Sequence, residues 1–439
     1  MADGRPMECG GNDAALAGHA LNRAPGAAPS TGRAEEGELP EGWRSTPFTE
    51  TLCPEKPRVT KVQQSNYRKS GRFPIIDQGQ TFIAGYWDSE NDVYREHLPV
   101  IVFGDHTRVF KFVDVPFVAG ADGTHVLVPD TRRFDPFLLY LALSSLDIPS
   151  RSYNRHFRLL KDRSVVTPPL PEQQAIASVL RTVQGAKAVC EHVLAATRQL
   201  KQSLLHHLFT YGPVPFLHAA HIPLKTEIGP MPEHWQTAEL GDFTLHSAFG
   251  PRFGGELYDQ AGNVATLRTT DISDDGRINY ATMPRARITE ERFQAHFLNK
   301  GDFLVTRSGT CGVASVFEGF GIPVLAGAFL IRFMLKDGLS PYFLRDYFNS
   351  PIGRPRVESM ASGAVQKNIS GTSLKAFVVP VPPLREQGEI AAELAAVDAK
   401  LAAEESRHSA LAALFQSLLH YLMTGKVRLS EFVGRHAPL

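Results

Sequence analysis

The chain is poor in cysteine, has no long apolar run and carries no net charge, and each shortage closes a class of answers. Its four cysteines, Cys9, Cys53, Cys190 and Cys311, are scattered without a CxxC spacing. That pattern fits reduced thiols better than a disulfide or zinc framework. No apolar stretch approaches the roughly 18 residues needed to span a bilayer, and no basic segment followed by an apolar one opens the chain. The expectation is a cytoplasmic protein with no membrane partner. There is no G-x-x-x-x-G-K-[ST] loop to cradle ATP phosphates, and no [DNS]-P-P-[YFW] tetrapeptide of the adenine methylase type. His218 and His221 form an HxxH with no evident third ligand, so no metal site is expected. No grouping of side chains reads as an active site. With 46 Lys and Arg against 46 Asp and Glu the formal charge is zero, so affinity for a polyanion has to come from how charge is distributed.

What is present is a repeat. Residues 168–210 and 382–424 align without a gap, and 20 of the 43 positions are identical. Upstream, Leu39-Pro40-Glu41-Gly42-Trp43 recurs as Met231-Pro232-Glu233-His234-Trp235. A period of about 200 residues is far beyond solenoid repeats and indicates internal duplication with a pseudo-two-fold plan. The chain divides accordingly. Residues 1–38, rich in Gly, Ala and Pro, are a disordered tail. A first variable body covers 39–165, a first repeated segment 166–211 and a proline-rich linker 212–230. A second body covers 231–379, a second repeated segment 380–425 and a C-terminal tail 426–439. Within the bodies, 97–104, 302–306 and 329–333 have strand character, and 136–146 and 341–349 read as matching helices with proline at their start.

The repeated segments are long helices. In the second copy Ile390, Leu394, Val397, Leu401, Glu404, His408, Leu411, Phe415, Leu418 and Leu422 step by four and three. The first copy keeps phase through Ile176, Leu180, Val183, Lys187, Cys190, Leu194, Thr197, Lys201, Leu204 and Leu208. This is a coiled-coil stripe, and one stripe per helix needs one partner. Packing of each helix on its own body is the plainer reading. Charge favours mutual packing: the first helix is mainly basic (Arg181, Lys187, Arg198, Lys201), the second mainly acidic (Glu386, Glu389, Glu393, Asp398, Glu404, Glu405). Opposite charge favours hetero-pairing, and a pseudo-two-fold relation favours an antiparallel pair.

A variable body, then PPLxEQxxIAxxL heading a long helix, then both again, resembles the specificity subunit of type I restriction-modification systems. The resemblance covers 39–425 and rests on Pro168–Ala177 and Pro382–Ala391. Leu267-Arg268-Thr269-Thr270-Asp271-Ile272 with Asp275-Gly276, and Gly301–Thr310, are similar to elements of target-recognition domains. Tyr153–Lys161 is similar to the segment leading into the first helix, with Ser362–Ser370 in its place in the second body. The resemblance implies an α+β protein in which two globular target-recognition domains with mixed sheets are separated by two long helices paired as an antiparallel coiled coil. It implies a non-catalytic subunit that reads a bipartite, asymmetric double-stranded DNA target. Its partners would be two methyltransferase (modification) subunits and the restriction/translocase subunits. S-adenosylmethionine, ATP and Mg would bind on those partners, and no cofactor on this chain. A protein-binding coiled-coil scaffold, or a specificity subunit of a fused nuclease-methylase, stands as the alternative.

Residue chemistry supplies candidates for DNA contact, which needs cations for phosphates and Arg, Gln or Asn for base edges. Residues 56–73 hold Lys61, Arg68, Lys69 and Arg72 and no acid; 151–163 hold Arg151, Arg155, His156, Arg158 and Lys161. In the second body the candidates are Arg268, Arg307, Gln366, Lys367 and Asn368, placed mainly by the resemblance.

Overall fold

The computed structural model describes residues 39–149, 156–215, 224–361 and 368–429. The two long helices span Leu170–Tyr211 and Leu384–Met423. The chain splits into two units, 1–192 with 406–439, and 193–405. Each unit therefore holds the start of one long helix and the end of the other.

In the first unit, Arg44–Pro47 pairs antiparallel with Ser164–Thr167, so the first body leaves beside the point where it entered. A mixed sheet orders Lys61–Val62, Phe117–Gly120, Phe73–Ile76 and Gly85–Trp87, and Phe117–Gly120 runs parallel to the first and third of these. A second, antiparallel sheet orders Phe110–Val113, Val100–Gly104 and Thr124–Leu127. Val100–Gly104 is an unbroken buried run, the signature of a strand covered on both faces. The helix Pro136–Ser144 starts where Asp135 accepts from the Phe137 and Leu138 amides, with proline pre-set in the first turn. Its apolar body fills a core with Phe103, Phe112, Ile176, Leu180, Leu419 and Leu422.

The second unit repeats the plan with different sheets. Gln236–Glu239 pairs antiparallel with Val378–Val381. An antiparallel sheet orders Thr244–Phe249, Leu330–Leu335, Phe303–Thr306 and Ala314–Val316. A mixed one orders Arg285–Ala286, Val264–Leu267 and Val324–Ala326. The helix Pro341–Phe348 packs Phe343 and Tyr347 into a core shared with Leu205, Leu208, Phe209, Ile390 and Leu394.

Both packing modes weighed for the helices occur. Their ends dock into the globular cores, and between the ends they pair with each other. Glu191 meets His408 at 2.8 Å in the first unit; in the second, Lys201 meets Asp398 at 2.5 Å and Arg198 meets Glu405 at 2.9 Å. One number rises as the other falls, so the pair is antiparallel. Every position of both stripes is buried or partly buried. Lys187 turns to Glu191 on its own helix (3.5 Å), and Glu404, buried in the seam, is bonded by Lys400 one turn back.

The structure differs from composition at two boundaries. Leu224–Thr226 and Gly229–Met231, which straddle the end of the linker at 230, form a hairpin whose Ile228 and Met231 enter the second core. Residues 426–429, assigned to a tail, pack on the first unit through Arg428. The proposed disordered tail 1–38, His218 and His221 lie outside the described residues.

Candidate nucleic-acid interface

In the first unit the fold brings the two cationic runs together. Lys61 lies on a sheet edge and donates to the Thr124 carbonyl at 2.6 Å. The next residue, His125, stacks its ring on Phe157, with centroids 3.9 Å apart and planes 9° from parallel. Lys161 places its ammonium 5.1 Å from the other partner in that stack, the Phe157 ring. Asp105 lies below, its carboxylate 3.7 Å from His125 Nε2 and accepting from the Phe157 amide at 2.7 Å. Burial lowers the His125 pKa; Asp105 opposes this, while Lys61 and Lys161 reinforce it. An anion arriving here meets two ammonium groups and a ring that gains a proton more readily once the anion is bound.

The other candidates of this unit fare unequally. Arg158 and Lys69 are exposed. Arg68 pairs with Asp88 and lies over Trp87, and Arg72 pairs with Glu90 at 3.2 Å. The stretch 56–73 lacks acids in sequence, but folding supplies them from the segment that follows Gly85–Trp87. His156 is buried, its Nδ1 2.7 Å from the Asp105 carbonyl oxygen, so it supports the Phe157 turn from inside. Arg151 and Arg155 lie outside the described residues.

In the second unit Arg268 grips Asp271 with one edge, Nε and Nη2 donating to its two carboxylate oxygens at 3.1 and 2.8 Å, and Nη2 also donates to the Thr282 carbonyl. Asp271 is buried, so this guanidinium is committed to holding its own turn. Arg307 and Asn368 are brought together: Arg307 Nε donates to Asn368 Oδ1 at 3.1 Å. The Arg307 guanidinium rests 4.3 Å from the Phe249 ring centroid. Phe249 and Phe329 are 44% and 48% exposed, unusual for phenylalanine, and Arg252 lies over Phe329. Gln366 and Lys367 lie outside the described residues.

Sequence reasoning missed His125, Phe249, Phe329 and Arg252. A lone His in a strand and scattered Phe carry no local signal, because their meaning depends on contacts distant in sequence. Among the described residues, no group of three or more His, Cys, Asp or Glu is placed to hold a metal. No helix among them is long and apolar enough to cross a membrane.

The family model for the type I restriction modification DNA specificity domain matches residues 232–412. The putative type I restriction enzyme MjaX specificity subunit of Methanocaldococcus jannaschii is 24% identical over 424 residues, spanning 90% of this chain and 96% of that protein. The type I restriction enzyme EcoKI specificity subunit of Escherichia coli is 25% identical over 404 residues, 81% of this chain and 82% of its own length. The crystal structure of the type I restriction-modification system S subunit from M. genitalium shares the fold, with a TM-score of 0.61 at 15% identity, covering 88% of this chain and 97% of that one. This chain is similar over most of its length to type I restriction-modification specificity subunits, and its residues 232–412 match their DNA specificity domain.

In this chain the repeated motifs have the same job twice. The glutamate of each PPLxEQ run accepts from the indole of the Trp in the upstream PE-x-W motif: Trp43 to Glu172 at 3.3 Å, and Trp235 to Glu386 at 2.8 Å. The glutamine beside it bridges backbone groups. Gln173 accepts from the Asp135 amide and donates to the Arg133 and Pro168 carbonyls; Gln387 accepts from the Ser340 amide and donates to the Gly338 and Pro382 carbonyls. Each pair thus ties a body's entrance, its short helix and its long helix into one joint. The far end of the opposite long helix closes it. Gly425, at φ +67°, turns against Pro40 and Trp43, and Gly212, at φ +77°, against Pro232 and Trp235. Only glycine adopts that backbone at no steric cost in so close an approach.

Proposed function

We propose that this chain is a specificity subunit that reads a bipartite, asymmetric double-stranded DNA target, one half-site per globular domain, inside a type I restriction-modification complex. It is a non-catalytic subunit, and it interacts with the methyltransferase and restriction subunits of that complex. The observation that carries the reading is the duplication itself: matching joints and long helices hold bodies whose sheets and candidate contact faces are unlike. Lys61, His125, Arg158 and Lys161, flanked by Arg68, Lys69 and Arg72, are the proposed DNA-facing set of the first domain. Phe249, Arg307, Phe329 and Asn368 are that of the second. We assign one methyltransferase subunit to each copy of the repeat, hence two, with S-adenosylmethionine, ATP and Mg on the partners, and place the complex in the cytoplasm.

Salt titration on random duplex tests DNA contact: four phosphate contacts give a slope of about −4 in log affinity against log salt. A protein-binding scaffold would show no such affinity to lose. Helix length is proposed to set the gap between half-sites. Deleting one heptad from each long helix, in register, removes about 10 Å of rise, roughly three base pairs at 3.4 Å each. Single-molecule methylation mapping of cells expressing the complex should show the gap shortened. An unchanged gap refutes the ruler.

A further inference from the structure

Arg307 combines a fixed backbone with a guanidinium that has donors left to give, whereas Arg252, which also lacks a carboxylate partner among the described residues, has only the Phe329 ring against it there. Arg268, Arg277, Arg287, Arg332 and Arg345 all pair with carboxylates. Arg307 pairs with none among the described residues. Its backbone is nonetheless fixed on both sides: its amide donates to the Phe329 carbonyl at 2.9 Å, and its carbonyl accepts from the Ile369 amide at 3.0 Å and from Cys311 Sγ at 3.1 Å. It directly follows the buried strand Phe303–Thr306. The side chain is held on one edge by the neutral Asn368 amide and on one face by Phe249. Its two terminal nitrogens, Nη1 and Nη2, have no partner among the described residues.

We infer that Arg307 is the base-reading residue of the second domain and that its two terminal nitrogens take O6 and N7 of a guanine in the major groove. This rests on the DNA-reading function proposed above. A guanidinium already oriented on two sides loses little freedom on binding, and its open edge offers two parallel donors at the spacing guanine accepts. The same fork fits a phosphate. The surroundings favour a base: exposed Phe249 and Phe329 present apolar surface suited to base edges and thymine methyl groups, not to a hydrated phosphate. Asn368 is a positioning residue, acting through Arg307.

The test uses the whole complex, with methylation mapped at base resolution for the parent, Arg307→Ala, Arg307→Lys and Asn368→Ala. Arg307→Ala should relax one G·C position in one half-site by about 10- to 100-fold, leaving the other half-site and the gap unchanged. Arg307→Lys keeps the charge but not the fork, so it should relax the same position, which guards against a folding defect in the alanine variant. Asn368→Ala should relax that position more weakly. A uniform loss of methylation in Arg307→Ala with unchanged base preference would mean a phosphate contact and overturn the assignment. An unaltered motif would overturn it too. A parent complex with no sequence-specific methylation would instead sink the function proposed above.

Discussion

Removing the Arg428 side chain tests whether the last described residues close the first joint. Glu172 is 2% exposed, and its carboxylate accepts from Arg428 Nε at 2.8 Å and Nη2 at 2.9 Å, from Trp43 and from the Leu429 amide. Burial alone pushes the Glu172 pKa up; the Arg428 guanidinium and the other donors more than reverse this, and the net shift is downward. Arg428→Ala leaves a buried carboxylate with one indole and one amide. Breaking a fully buried pair costs about 3–5 kcal/mol, and because Arg428 keeps some solvent contact, about 2–3 kcal/mol is expected. For a unit of this size, at about 2–4 °C per kcal/mol, that is a fall on the order of 4–12 °C. Calorimetry of the full chain reads it as a shift in the transition of the first unit. Two controls isolate the cause. His234→Ala removes the matching partner of Glu386, but that imidazole is 58% exposed, so its loss should cost under about 1 kcal/mol. The double variant Glu172→Gln, Arg428→Met removes both charges and should recover more than half of the loss, since the penalty is the stranded charge. The pH sign is also set: a carboxylate whose folded pKa lies below its unfolded value of about 4.3 stabilises fully above that value. That stability fades as pH falls through the folded pKa, so parent and Arg428→Ala should converge in acid. An Arg428→Ala melt indistinguishable from the parent at neutral pH would refute the reasoning, as would a double variant no better than the single.

Lys111 is fully buried, donates to the Asp77 and Thr81 carbonyls at 2.7 and 2.6 Å, and has its pKa pulled down to about 8 by burial against the opposing pull of Asp77. Unfolded lysine titrates near 10.4, so between the two values the unfolded chain binds more protons and stability rises with pH, by up to about 3 kcal/mol. Denaturant unfolding from pH 8 to 10 should show that rise in the parent and a flat profile in Lys111→Met; a flat parent would contradict it. In the helix pair, Lys201 and Asp398 are 11% and 22% exposed. Asp398→Lys sets two ammonium groups against each other and should cost about 1–3 kcal/mol. The swap Lys201→Asp, Asp398→Lys should restore most of it in thermal melts, and failure to do so would deny the pair its role in helix register.

How much of this was legible beforehand follows from which constraints are met twice. The stripe from Ile176 to Leu208 and its counterpart from Ile390 to Leu422 could be read directly, because burial on one helix face imposes its period on the sequence itself. Trp43, Glu172 and Gln173 announced themselves by reappearing as Trp235, Glu386 and Gln387, although only the structure shows what the indole and carboxylate do together. The candidate interface obeys another logic. Arg68 looked free in a stretch without acids until folding set Asp88 beside it, and His125 means little until Phe157, 32 residues later, stacks against it. Arg268 is the exception that sequence could have settled, since Asp271 stands three residues away, within reach of its own turn. The faces leave little internal echo: Lys161 recurs as Lys375 at the repeat's offset, but Lys61 and His125 have no like residue in Phe249 and Arg307. Two copies held to one mechanical task keep their residues. Two copies set to unlike bases are released from that constraint, so the near-silence of the repeat at Lys61, His125, Phe249 and Arg307 is what two readers of different sequences would leave behind.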